Sequence, residues 1–141
     1  MKTLLIILWG VLLFVFTCAS DSGFWVAGTF PTFHWSTTPD FHELTNMDLM
    51  PTFGYIIRKI GHFSGFAVLA AFFYRQNKSI KKSIMYSVFY AIFTEFIQLY
   101  FGRDGRLYDV VIDTAGILFG MTLITMAYRR KIRRKMSDSV L

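Results

Sequence analysis

Two aspartates, Asp109 and Asp113, stand four residues apart at the start of an apolar stretch, and Gly116 and Gly120 follow at helical spacing. At 100° per residue these four positions fall within about 60° of one another, so a helix here carries carboxylates and then small residues on one face. Glu95 and Gln98, three apart, are neighbours on a second helical surface, and Arg58, His62, Gly65 and Leu69 form a stripe on a third. Carboxylate oxygen and imidazole nitrogen are suitable donors for a divalent metal, which makes His62, Glu95, Asp109 and Asp113 candidate ligands, although no H-E-x-x-H or comparable signature is present. Glu95, His62 and Asp113 are also the candidates for acid-base or proton-transfer work, the two carboxylates being expected among helices where burial raises their pKa. Arg103 and Arg106 occupy the short turn between the Glu95 and Asp109 segments. Guanidinium binds phosphate, pyrophosphate or carboxylate in a bidentate manner, so these arginines suit an anion. Acyl transfer is not expected, because Ser64 lies two residues from His62 and points elsewhere on a helix.

Four apolar stretches must position these groups: Thr3 to Ser20, Tyr55 to Tyr74, Ser83 to Phe101 and Tyr108 to Tyr128. Each approaches the roughly 20 residues an α-helix needs to cross the hydrocarbon core, and backbones in lipid must bond internally. The 141 residues are 54% hydrophobic and only 17% charged, with a mean hydropathy of +0.44, so the chain reads as one all-α polytopic membrane domain. The first stretch also resembles a secretion signal, with Lys2 ahead of an apolar run and Thr17-Cys18-Ala19 near its end, but a retained span is expected. A single cysteine, Cys18, excludes an intramolecular disulfide framework and a multi-cysteine zinc site.

Lys and Arg in short loops mark the cytoplasmic side. Lys2, the loop carrying Arg75, Lys78, Lys81 and Lys82, and the basic tail 129–141 all fall on one side, which places both termini inside. The connection 21–54 has no Lys or Arg and faces outward; Thr38-Pro39-Asp40 followed by Glu43 predicts a short interfacial helix within it. Its aromatic residues suit the headgroup layer. Arg103 and Arg106 oppose the charge rule and so require a reason. In this topology His62, Glu95 and Asp113 each sit roughly 7 to 11 Å below the outer ends of their helices, at one depth. The bland alternative is an ion-pair cluster that fixes helix order, Arg58 or Lys59 with Asp109 and Arg103 or Arg106 with Glu95. The excess of 15 Lys and Arg over 9 Asp and Glu does not indicate nucleic acid, since no interleaved basic and aromatic face is formed.

The run Arg58-Lys59-Ile60-Gly61-His62-Phe63-Ser64-Gly65-Phe66-Ala67-Val68-Leu69 resembles the R/K-K-x-x-H-F-x-x-[YF]-x-x-L segment of VanZ-like membrane proteins. Glu95 and Gln98, then Gly102-Arg103, then Asp109-Val110-Val111-Ile112-Asp113, Gly116 and Gly120 are similar to that family's E-x-x-Q, G-R and D-V-x-x-[ND]-x-x-G-x-x-x-G pattern. The resemblance covers about residues 55–128. Asp113 takes a position that is often Asn, and Asp104-Gly105-Arg106 replaces a more serine-like stretch. The resemblance implies a small multi-pass protein of the bacterial cytoplasmic membrane, associated through the family's named member with low-level resistance to lipoglycopeptides such as teicoplanin. It implies Arg58, Lys59, His62, Glu95, Gln98, Arg103, Asp109 and Asp113 as functional residues; no cofactor is expected.

Three readings follow. The first is a non-enzymatic envelope protein binding an amphipathic anion at the outer leaflet, a lipid-linked wall precursor or a lipoglycopeptide. There the aromatic outer loop contacts the apolar part and Arg103 and Arg106 the anion, with Glu95 and Asp113 orienting the arginines from below. The second is a metal-assisted enzyme acting on a lipid phosphate or pyrophosphate. The third is a structural membrane subunit. Oligomeric state is left open.

Overall fold

The computed structural model describes residues 2–21, 23–47 and 52–138. Among them are α1 (Lys2–Cys18), α2 (Phe24–Ala27), a 3-10 helix (Phe41–Thr45), α3 (Phe53–Asn77), α4 (Ile80–Tyr100) and α5 (Leu107–Asp138), with no strand. Side chains set the helix starts: Thr52 accepts from the Tyr55 N–H and Ser79 from the Lys82 N–H. The expected start at Thr38-Pro39-Asp40 is the 3-10 helix, whose Asp40 carboxylate accepts from the His42 N–H. The four-residue α2, which Gly28 ends at φ +66°, is not foreseen by the sequence reading.

All four expected segments are helical, but only α3 and the stretch Leu107–Arg134 of α5 are long and apolar enough to cross a membrane by length and composition. Helix α1 is apolar but has 17 residues. Helix α4 is diluted by Ser83, Ser87, Thr94, Glu95 and Gln98, all of which it buries together with Ala91 and Leu99. Its outward side chains include Met85, Phe89, Ile92, Phe93 and Phe96. This arrangement is the reverse of a water-facing helix, with small and polar residues inside and large apolar ones outside. The basic stretch expected as a separate tail from residue 129 is instead the continuation of α5, whose 32 residues extend about 48 Å. Helix geometry carries on because Arg and Lys are good helix formers and no Gly or Pro interrupts them.

Helices α3, α4 and α5 pack on one another, and α1 lies against α3 and α4. The core gathers Leu13, Phe66, Leu69, Ala70, Ala91, Ile117 and Met121. The expected close packing at Gly116 and Gly120 is present: a Cβ on Gly116 would lie 2.0 Å from the Phe63 carbonyl oxygen, and one on Gly120 2.9 Å from that of Ala67.

Two hydrogen bonds fix the position of α1. The Trp9 indole donates to the Gly65 carbonyl at 2.9 Å, and the Tyr90 hydroxyl donates to the Gly10 carbonyl at 2.6 Å. Tyr90→Phe removes one of them and leaves the ring. It is expected to lower stability by about 1 kcal/mol, read as an earlier thermal transition of the purified protein in detergent. An unchanged transition would show that the bond contributes nothing net.

Candidate functional site

The convergence expected from helical spacing is realised by α3, α4 and α5. Nδ1 of His62 lies 3.1 Å from Oδ1 of Asp113 and 3.8 Å from Oε1 of Glu95. The two carboxylates are 1% and 0% exposed. Gln98, one turn beyond Glu95, donates its amide to Oε1 at 3.2 Å. Oε2 of Glu95 accepts the backbone N–H of Arg106 at 2.7 Å. That last bond corrects the expected pairing of Glu95 with an arginine side chain. The turn after α4 folds back over its own helix, so the main chain of residue 106 reaches Glu95 before the guanidinium can.

Glycines make this return possible. Gly102 has φ +63°, which L side chains rarely adopt. At Gly105 a Cβ would lie 2.0 Å from the Glu95 carbonyl oxygen. The Arg106 guanidinium is taken up by the Tyr108 hydroxyl at 2.9 Å and by Asp104 at 3.1 Å. Arg103 donates to the Ser20 carbonyl at 3.2 Å, tying the turn to the end of α1. The expectation that Glu95 and Asp113 orient both arginines from below is therefore not met, because Glu95 holds main chain and Asp113 pairs with His62.

Of the expected ion pairs, Lys59 with Asp109 is present. The Lys59 ammonium also lies 4.7 Å from the Tyr55 ring centre and 4.4 Å from that of Tyr108. Asp109 thus serves Lys59 and stands apart from the group formed by His62, Glu95 and Asp113, whose donor atoms all lie within 4.8 Å of one another.

A cavity of about 360 Å³ opens beside this group, within the size range of ligand pockets. One wall is apolar, formed by Trp9, Leu12, Leu13 and Phe16 of α1 with Trp25 of α2. The lining also carries Arg58, Lys59, His62, Gln98, Arg103, Arg106 and Asp109. Glu95 and Asp113 are not in the lining and lie behind His62. Burial, and next the like charge of Arg58, push the Arg103 guanidinium below its ordinary value.

The apolar wall corrects a second expectation. Among the described residues of the outer connection only Trp25 lines the cavity, while Phe33, Trp35 and Phe41 pack on Phe14, Phe96, Tyr100 and Phe101. Sequence reasoning missed the α1 residues, Asp104 and Tyr108.

The sequence model of the VanZ/LLP1 family matches residues 2–128. The chain belongs to the VanZ/LLP1 family. The match takes in α1 and the outer connection, beyond the stretch that carries the motifs. The chain is also 33% identical over 133 residues to the uncharacterized membrane protein YwnJ of Bacillus subtilis (strain 168), covering 93% of this chain and 95% of YwnJ. No solved structure matches it. The protein is thus a VanZ-family membrane protein, and its motif residues line or underlie one pocket.

Proposed function

We propose that this VanZ-family protein binds an amphipathic anion at the outer leaflet of the bacterial cytoplasmic membrane, either a lipid-linked cell-wall precursor or the lipid-bearing part of a lipoglycopeptide. The observation that carries the reading is the mixed lining of one cavity, which combines apolar side chains of α1 with cations from α3 and from the turn after α4. An acyl or isoprenyl chain lies along Trp9, Leu12 and Phe16, and its phosphate meets Arg58 and Arg103. Arg58 has no ion pair among the described residues, and Arg103 is engaged at one main-chain oxygen, so both are available to an anion. Four spans with cytoplasmic termini suit this role. The outward apolar face of α4 needs lipid, and the basic end of α5 belongs on the cytoplasmic side. The resistance phenotype attached to the family then follows from capture or shielding of a wall precursor.

Calorimetry with an isoprenyl phosphate, using the protein in nanodiscs, tests the pocket. Arg58→Ala and Arg103→Ala are each expected to weaken binding roughly tenfold or more while the thermal transition holds. Unchanged affinity in both would remove the pocket as proposed.

A second reading is supported by the cluster behind His62, an acid-base set next to the cationic end. It is turnover of the same lipid phosphate, tested by phosphate release from the isoprenyl phosphate. Absence of release with tight binding leaves the binding reading alone.

A further inference from the structure

We infer that His62, Glu95 and Asp113 hold a divalent transition-metal cation immediately behind the pocket. Each donor comes from a different helix, α3, α4 and α5, and the three ligand atoms lie within 4.8 Å of one another. Donors around a cation bound at about 2.0 to 2.2 Å stand roughly 3 to 4 Å apart, so the widest pair of the set closes by roughly 1 to 2 Å on binding, a shift within reach of side-chain rotation.

A second observation is independent of that proximity. Asp113 is fully buried, and its second carboxylate oxygen, Oδ2, has no hydrogen-bond partner. A buried oxygen of this kind is costly unless something positive meets it. Charge balance agrees. Lys59 answers Asp109, which leaves Glu95 and Asp113 with a single imidazole between them. Bound as an imidazole with two carboxylates, the three side chains would offer a dication two negative charges.

The surroundings are those of a metal site. The Gln98 amide and the Arg106 N–H hold Glu95 by hydrogen bonds, the kind of outer support that orients a ligating carboxylate. One imidazole with two carboxylates favours Zn²⁺, Mn²⁺ or Fe²⁺ over the all-oxygen shells of Ca²⁺ and Mg²⁺. Three protein donors leave further coordination positions, and His62 lines the cavity through which an ion enters.

The test uses the full chain purified in detergent, stripped with a chelator and dialysed against Zn²⁺, Mn²⁺ or Co²⁺. Elemental analysis is expected to find about one equivalent in the wild type and in Arg103→Ala, and to lose most of it in His62→Ala and Asp113→Asn. Loading below about a tenth of an equivalent with every metal, or equal loading in the two ligand variants, overturns the site. Where those variants fail to fold, the visible spectrum of the Co²⁺-loaded wild type decides. Intensified ligand-field bands support the site, and the spectrum of aqueous Co²⁺ overturns it. The inference does not rest on the anion reading. A wild type that loads metal but binds no isoprenyl phosphate keeps this site and removes the proposed function, and the converse result removes only the metal.

Discussion

Gly116→Ala is expected to be among the most damaging single-methyl changes at the helical glycines. Its Cβ would sit 2.0 Å from the Phe63 carbonyl oxygen and 2.8 Å from the carbonyl carbon, and both are helix backbone with nowhere to move except away as a unit. Helices α3 and α5 must separate by more than an ångström, or one must rotate. Overpacking of this sort costs roughly 3 kcal/mol, with loss of the fold as the extreme. The same displacement draws Asp113, three residues earlier on α5, away from His62 on α3 and spoils the cluster. Gly120→Ala meets the Ala67 oxygen at 2.9 Å and is expected to cost about a third as much. Gly54→Ala meets nothing within 4 Å and serves as the control, neutral or slightly stabilising because alanine favours helix. Thermal unfolding in detergent ranks the three. A Gly116→Ala transition no lower than that of Gly54→Ala would contradict the observed helix contact.

Glu95→Ala is expected to destabilise the protein by roughly 3 kcal/mol. It strands two donors at once, the Arg106 N–H and the Gln98 amide, and it leaves His62 with one carboxylate instead of two. The Arg106 N–H bond also anchors the return of residues 102–106, so Arg103 loses its fixed place at the cavity. Glu95→Gln separates architecture from chemistry. Its amide oxygen still accepts the Arg106 N–H, so the fold is expected to survive with a loss of about 1 kcal/mol, whereas metal loading and any acid-base step disappear. Measuring the thermal transition and the metal content of both variants checks this. If Glu95→Gln lost stability as severely as Glu95→Ala while binding tracked stability alone, the cluster would be an architectural element, as expected of a structural membrane subunit.

The sequence by itself determined the helical class, the convergence of His62, Glu95 and Asp113, the close packing at Gly116, and that the partner of Asp109 is Arg58 or Lys59. All four follow from regular geometry. A 100° rotation and a 1.5 Å rise place residues on a face and at a depth without reference to anything distant. Family membership was legible from residue identity, since the motif residues resemble the VanZ-like pattern position by position.

Only the tertiary structure decided how these parts are used. Nothing in local spacing indicates that the turn after α4 folds inward and gives its main-chain N–H to Glu95, because that path depends on the room left at Gly105 by the α4 backbone. The distribution of polar residues on α4 hid its role as well: Ser83, Ser87, Thr94, Glu95 and Gln98 lower its hydropathy, and only packing shows that all face inward. The apolar wall of the pocket was invisible for a third reason. Trp9, Leu12, Leu13 and Phe16 lie in an unbroken apolar run, where composition cannot distinguish a residue facing lipid from one facing a cavity. The bonds from Trp9 and Tyr90 set that rotation, and they join residues 56 and 80 positions apart in the chain.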